Sequence, residues 1–241
     1  MFVLHSRVIN WFANKIKFHP TYKNYKDYVM RRLPVYLLLD TSGSMAGEPL
    51  TSMVNGVQTL LSSLRQDPHA LETAALSVIE FGSEATQSVP LTELITFQLP
   101  EMQARGTTAM GAALALLNDR VNSEVIKTTP ERRGDWRPLV FLLTDGIPTD
   151  DLQAGINALD KSKLGIFVAC AAGPHADTTQ LKKITESVVQ LDTLDSSGIA
   201  AFFKWVSDSV STSSAKIDLS KKDVTDLGEL PPPPEEVQIA F

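Results

Sequence analysis

Five apolar runs, each too short for a buried helix and nearly free of polar interruption, dominate the chain: VYLLLD (35–40), ALSVIEF (75–81), PLVFLLTD (138–145), LGIFVACA (164–171) and VVQLD (188–192). Runs of this kind read as strands covered on both faces, the condition of a parallel sheet sandwiched between helices. A sixth, weaker run, ATQSVPL (85–91), contains Pro90, which suits an edge strand. Helical patterns fill the intervals. Leu50, Val54, Val57, Leu60, Leu61 and Leu64 share one face behind Pro49, and Leu114, Leu117 and Val121 another. Asp150 and Asp151 read as the cap of a helix to Leu159, and further helices are expected over 177–186 and 197–209. Alternating strands and helices predict an α/β fold: a doubly wound, mostly parallel, six-stranded sheet flanked by helices and joined by right-handed crossovers. The domain is placed at 32–212.

Two pieces fall outside it. Residues 213–241 are polar and end in LGELPPPPEEVQIAF, whose four consecutive prolines favour an extended, flexible tail. Residues 1–31 form an N-terminal accessory segment or upstream extension; Leu4, Val8, Phe12 and Ile16 make an apolar i, i+4 stripe beside Arg7, Lys15 and Lys17.

The net charge of −6 opposes general nucleic-acid binding, which requires basic surface to neutralise phosphates. Cys170 is the single cysteine, so neither an internal disulfide nor a cysteine-based zinc cluster can form, and its apolar setting reads as an inert core thiol. No apolar run approaches the roughly 20 residues that span a bilayer, and the start lacks the plan of a secretory signal. A cytoplasmic protein with no stable membrane insertion is expected.

The first apolar run continues as LLLDTSGSM. Ligands of open α/β sheets bind outside the carboxyl ends of the strands, where the topology reverses. Asp40, Ser42 and Ser44 occupy such a position, and alternate residues of an extended loop point the same way. FLLTDG places Asp145 at a second strand end, and ARGTTAMG offers Thr107 and Thr108 ahead of a helix. Two carboxylates and three hydroxyls are hard oxygen donors suited to Mg²⁺ or Mn²⁺. Taken singly, each of these groups also describes an ordinary turn or helix cap.

DTSGSM resembles the DxSxS signature of von Willebrand factor A (VWA) domains, with GTTAMGAAL and TDG matching the family's further segments in order over roughly 32–210. The resemblance implies a Rossmann-like VWA fold with a metal-ion-dependent adhesion site (MIDAS) at the C-terminal edge of the strands. Ser42 and Ser44 would be direct hydroxyl ligands, Asp40 and Asp145 carboxylates acting directly or through water, and Thr108 the third hydroxyl. Thr107 stands where the family more often has a second glycine, leaving Thr107 as the competing choice.

RRLPVYLLLDTSGSM, LRQDPHALETAALSVIEF, GDWRPLVFLLTDGIPTDD, AFFKWVSDSVST and LPPPPEEV are similar to the small bacterial VWA proteins of tellurite-resistance clusters, the TerY type, a match that begins at Met30. This implies a cytoplasmic, non-enzymatic scaffold in a tellurite-resistance or stress-response system. It would bind a protein partner's Glu or Asp through Mg²⁺, with Mn²⁺ or Ca²⁺ as alternatives; a kinase-like protein and a PP2C-type phosphatase are the implied partners. The competing expectation is a metal-dependent, phosphatase-like hydrolase using Asp40. Against it, Ser42 stands where a second catalytic aspartate would be wanted, and no phosphate-binding G-x-x-x-x-G-K-[ST] loop is present. His5, His19, His69 and His175 show no base–nucleophile pairing, and Trp136 reads either as a rim aromatic or as core.

Overall fold

The computed structural model describes residues 31–173, 176–220 and 222–240, with backbone alone at 218–220. The N-terminal segment anticipated above therefore lies outside the described residues but for Arg31, as does His175. A seven-stranded sheet has the order β3-β2-β1-β4-β5-β6-β7. Its strands are β1 (Leu33–Asp40), β2 (Ala74–Phe81), β3 (Ala85–Glu93), β4 (Leu139–Thr144), β5 (Ile166–Ala172), β6 (Ser187–Leu191) and β7 (Gln238–Ile239). β1, β2, β4, β5 and β6 are mutually parallel, whereas β3 and β7 run antiparallel at the two edges. The strand bearing Pro90 is thus an edge, as its proline requires.

Alternation along β1 supplies both faces of the core. Val35, Leu37 and Leu39 face α1 (Glu48–Gln66) and α6 (Ser196–Ser220), meeting Met53, Val57, Leu60, Phe202, Phe203 and Val206. Tyr36 and Leu38 face α3 (Met110–Glu124), α4 (Leu152–Ala158) and α5 (Thr178–Ile184), meeting Met110, Leu114, Leu117, Leu181 and Ile184. Every residue of β1 is buried, which explains the unbroken apolar run. Cys170 lies fully inside this core, and burial pushes its thiol well above its ordinary range, so it is an inert packing group.

Three features depart from the sequence expectations. A short helix, α2 (Pro68–Thr73), precedes β2; Asp67 accepts hydrogen bonds from the backbone N–H groups of His69 and Ala70, and Pro68 takes the first helical position. The last helix runs on to Ser220, well past residue 209 and across the anticipated domain boundary at 212. The segment after it is docked, where a flexible tail was expected. Val224, Leu230 and Val237 are buried against the α1/α6 face, Trp205 Nε1 donates to Pro231 O at 2.8 Å, and Gln238–Ile239 add the seventh strand beside β6. The prolines prevent sheet pairing only over their own length; the apolar residues on either side supply the anchoring. Trp205 is consequently buried outright.

Trp136 is core as well. It lies at the amino end of β4, the pole opposite the strand ends that carry Asp40 and Asp145, with the Arg31 guanidinium 3.4 Å above its ring. The rim role is therefore excluded. Nearby, Asp135 pairs with Arg32 at 2.7 Å, and Tyr36 donates to Glu124 at 3.1 Å. Burial, foremost, and the adjoining Glu124 push the Tyr36 phenol upward, so it remains neutral.

The docked tail makes a measurable prediction. Leu230→Ala is expected to lower unfolding free energy by about 2–4 kcal/mol, as for other buried leucines. Ile239→Ala, at a side chain 39% exposed, is expected to cost well under about 1 kcal/mol. Chemical denaturation of the two variants checks this, and two neutral results would mean that the tail is free in solution.

Candidate metal centre

The strand order reverses between β1 and β4: from β1, the sheet grows through β2 on one side and through β4 on the other. Parallel pairing sets Leu39 opposite Leu143, so Asp40 and Thr144 end the two strands side by side at the C-terminal rim. Thr144 Oγ1 donates to Asp40 Oδ2 at 2.5 Å, and Ser42 N donates to Asp40 Oδ1 at 2.8 Å. Asp40 is completely buried. Burial pushes its carboxyl above the usual range, and the charge of Asp145 acts in the same direction; the hydrogen bonds from Thr144 and Ser42 oppose both.

From there the side chains form a chain. Ser42 Oγ and Ser44 Oγ are 3.0 Å apart, and Ser44 Oγ donates to Asp145 Oδ1 at 2.8 Å. Gly43 permits the turn between the serines, since a Cβ there would come within 3.3 Å of Gly106 O. Gly106 has φ +78°, the left-handed region that glycine accepts without strain. Its carbonyl receives the Gly43 N–H at 3.0 Å, which ties the loop ahead of α3 to the loop after β1.

The two threonines that follow differ in setting. Thr107 is exposed, and its N–H turns to Ser83 Oγ at 3.2 Å. Thr108 is buried, and its hydroxyl lies 3.0 Å from the position of a Cβ on Gly146; Asp40 Oδ2 lies 3.8 Å from the same point. Thr108 Oγ1 makes no hydrogen bond with any described residue. The loop after β4 is fastened to it by backbone: Thr149 N donates to Thr108 O, and Thr108 N donates to Thr149 Oγ1, each at 3.0 Å. Asp40, Ser42, Ser44, Thr108 and Asp145 therefore lie in neighbouring loops at the same rim, Ser42, Ser44 and Asp145 linked directly, and Thr107 is exposed.

Two contributors were not read from the sequence. Thr144 is the hydroxyl that holds Asp40 and also accepts the Gly146 N–H at 3.1 Å; its only signal is a polar residue closing an apolar run. Asp150 was read as a cap for the helix that follows it. Asp151 serves that helix, donated to by Ala154 N, whereas Asp150 receives the N–H groups of Gly111 and Ala112 at 2.9 and 2.8 Å and so caps α3. Gly111 and Gly155 let the two helices touch backbone to backbone, a Cβ on Gly155 falling 2.3 Å from Gly111 O.

The donor chemistry fits a small divalent cation. Among the described residues no group of three or more His, Cys, Asp or Glu could hold a metal, and the oxygens gathered here are hydroxyls and two carboxylates. Adjacent oxygens around an octahedral Mg²⁺ at about 2.1 Å lie about 3.0 Å from one another. The separations of 3.0 and 2.8 Å along Ser42, Ser44 and Asp145 are hydrogen-bond distances that equally suit adjacent ligands of such an ion. The unpaired Thr108 hydroxyl and the buried Asp40 charge are what a cation would satisfy. Nucleophilic chemistry fits less well, because Asp40 is fully buried and both its oxygens already accept hydrogen bonds.

These features define an open α/β domain with a hydroxyl–carboxylate cluster at its topological switch point. The sequence profile of the von Willebrand factor type A domain matches residues 35–198, and the chain belongs to that family. Domains of this family commonly mediate metal-dependent protein–protein interaction. Similar solved structures include proximal thread matrix protein 1 of the mussel byssus, at 19% identity and TM-score 0.56, covering 74% of this chain and 48% of that one. A further mussel structure of that protein has a zinc-occupied MIDAS motif, at 20% identity and TM-score 0.52, covering 73% and 46%. A von Willebrand factor type A protein from Catenulispora acidiphila matches at 18% identity and TM-score 0.54, covering 76% and 43%. The chain spans less than half the length of each of these three. No curated protein matches it. Among the described residues, no helix is long and apolar enough to cross a membrane.

The raised Asp40 value has a defined consequence for the metal-free protein. Where the folded value exceeds the unfolded value of 3.8, the folded state holds the proton more tightly, so stability falls as pH rises through that interval. In chelator, the stability of the wild type relative to Asp40→Asn is expected to fall as pH rises from the unfolded value through the folded one. Thermal unfolding of both proteins across pH checks it; a difference independent of pH would show that the carboxyl holds its proton equally in both states.

Proposed function

We propose that this protein is a non-enzymatic, metal-dependent interaction module whose rim holds Mg²⁺ through Asp40, Ser42, Ser44, Thr108 and Asp145 and takes an acidic side chain of a partner protein into the ion's open coordination. The observation that supports the reading is the linked run Ser42–Ser44–Asp145 at the β1/β4 switch point, with Asp40 and Thr108 in the adjoining loops. Two carboxylates and neutral hydroxyls leave a divalent ion's charge incompletely screened, so a guest carboxylate is attracted in spite of the domain's acidic balance. Zinc in the mussel protein's motif supports a divalent ion in general; hard oxygen ligands suit Mg²⁺, with Mn²⁺ and Ca²⁺ as alternatives.

The likeness of five segments to TerY-type proteins supports placing the module in a bacterial tellurite-resistance or stress-response system in the cytoplasm. The partners proposed on that ground are a kinase-like protein and a PP2C-type phosphatase of the same gene cluster. Affinity of about micromolar, roughly 8 kcal/mol, is appropriate to such a contact. Co-expression of these two proteins with the tagged chain, followed by capture, tests it. Capture is expected in Mg²⁺ and to fall at least about ten-fold in EDTA or with Asp40→Ala, with circular dichroism unchanged. Equal capture under all three conditions would remove the metal from the interface.

A further inference from the structure

Ile147 is a large aliphatic side chain left 56% exposed, two residues past Asp145. The described residues have two other large exposed hydrophobics, Ile95 and Ile239, and both lie on edge segments away from the switch point. Ile147 is held in place. Gly146 N is bonded to Thr144 Oγ1 at 3.1 Å on one side, and Thr149 is bonded to Thr108 through both of its groups on the other. Gly146 also passes close enough to Thr108 that a Cβ would meet its hydroxyl at 3.0 Å. A loop pinned at both ends of a three-residue span cannot fold its apolar side chain back into the core, so Ile147 stands in water beside the cluster.

The opposite flank has a different character. Arg105 precedes Gly106, and its N–H donates to Thr41 O at 2.8 Å, which places it on the β2 side of the cluster. Its side chain is exposed and has no carboxylate partner among the described residues. The exposed apolar side chain therefore lies on the β4 side of the cluster, while the β2 side carries the charged residues Arg105 and Glu84.

Building on the interaction reading above, we infer that Ile147 is a specificity-determining contact, and that the partner segment carries an aliphatic or aromatic residue within two positions of the carboxylate that meets the cation. Any guest that covers Ile147 removes its apolar surface from water, and an apolar residue does so with its own surface buried as well and no polar group desolvated, so the preference follows from the surface itself.

A phage-displayed library of nonapeptides with a fixed central glutamate, selected on the full chain in Mg²⁺, tests this. Recovered peptides are expected to be enriched in Leu, Ile, Val, Met or Phe next to or one residue from the glutamate. A synthetic peptide from the pool is expected to bind Ile147→Ser about ten-fold more weakly and Ile147→Leu nearly as well as the wild type. Recovery of glutamate peptides with no apolar neighbour, or equal affinity for Ile147→Ser, would overturn the role of Ile147 and leave the metal-dependent module standing. Binding that survives replacement of the glutamate by glutamine, or addition of EDTA, would instead overturn the module and this contact with it.

Discussion

A carboxylate taken wholly out of water at the end of β1 is the constraint around which the rim is organised. An isolated buried charge is costly, and a protein answers it by pairing, hydrogen bonding or proton uptake. Here the neighbouring strand supplies Thr144 and the following turn supplies Ser42 N, each to a different oxygen of Asp40. That arrangement needs β1 and β4 adjacent, parallel and in the observed register, so one polar interaction and the topology of the sheet require each other. The compensation is partial, since burial still outweighs the hydrogen bonds at Asp40. An adjacent cation would relieve what they leave.

The loops around Asp40 are coupled through their backbones. Gly43 joins Gly106, Thr41 joins Arg105, and Thr108 joins Thr149. Asp150 extends this coupling to α3 by closing its first turn, and the Gly111–Gly155 contact seats α3 against α4. Three segments distant in sequence are thereby tied to one another. Preorganisation of this kind lets weak individual ligands act together, since little ordering remains to be done when an ion or guest arrives.

Much of this was legible beforehand because the physics was local. Unbroken apolar runs mark strands covered on two faces, and Pro90 marks an edge; the acidic strand ends at Asp40 and Asp145 identify the rim. What escaped reading depended on tertiary partners. α2 is only six residues long, though Asp67 and Pro68 carry a legible cap. The continuation of α6 past 209 runs through serines, and Ser209, Ser213 and Ser214 are buried, against the habit of their residue type. The tail's prolines pointed to freedom, whereas three separated apolar residues and one indole hydrogen bond hold it. Asp150 looked like the cap of its own helix because only the fold reveals a second helix start within its reach.

The two-residue β7 has a consequence for how this molecule meets others. Without it, β6 would present unpaired backbone groups, an invitation to strand addition by a neighbouring chain. The short antiparallel cover occupies that flank, while at the far flank Pro90 and the shifted register of β3 against β2 make a poor template. Lateral growth of the sheet is thus discouraged at both margins, and the strand tips are left as the part of the sheet where side chains, not backbone pairing, face outward.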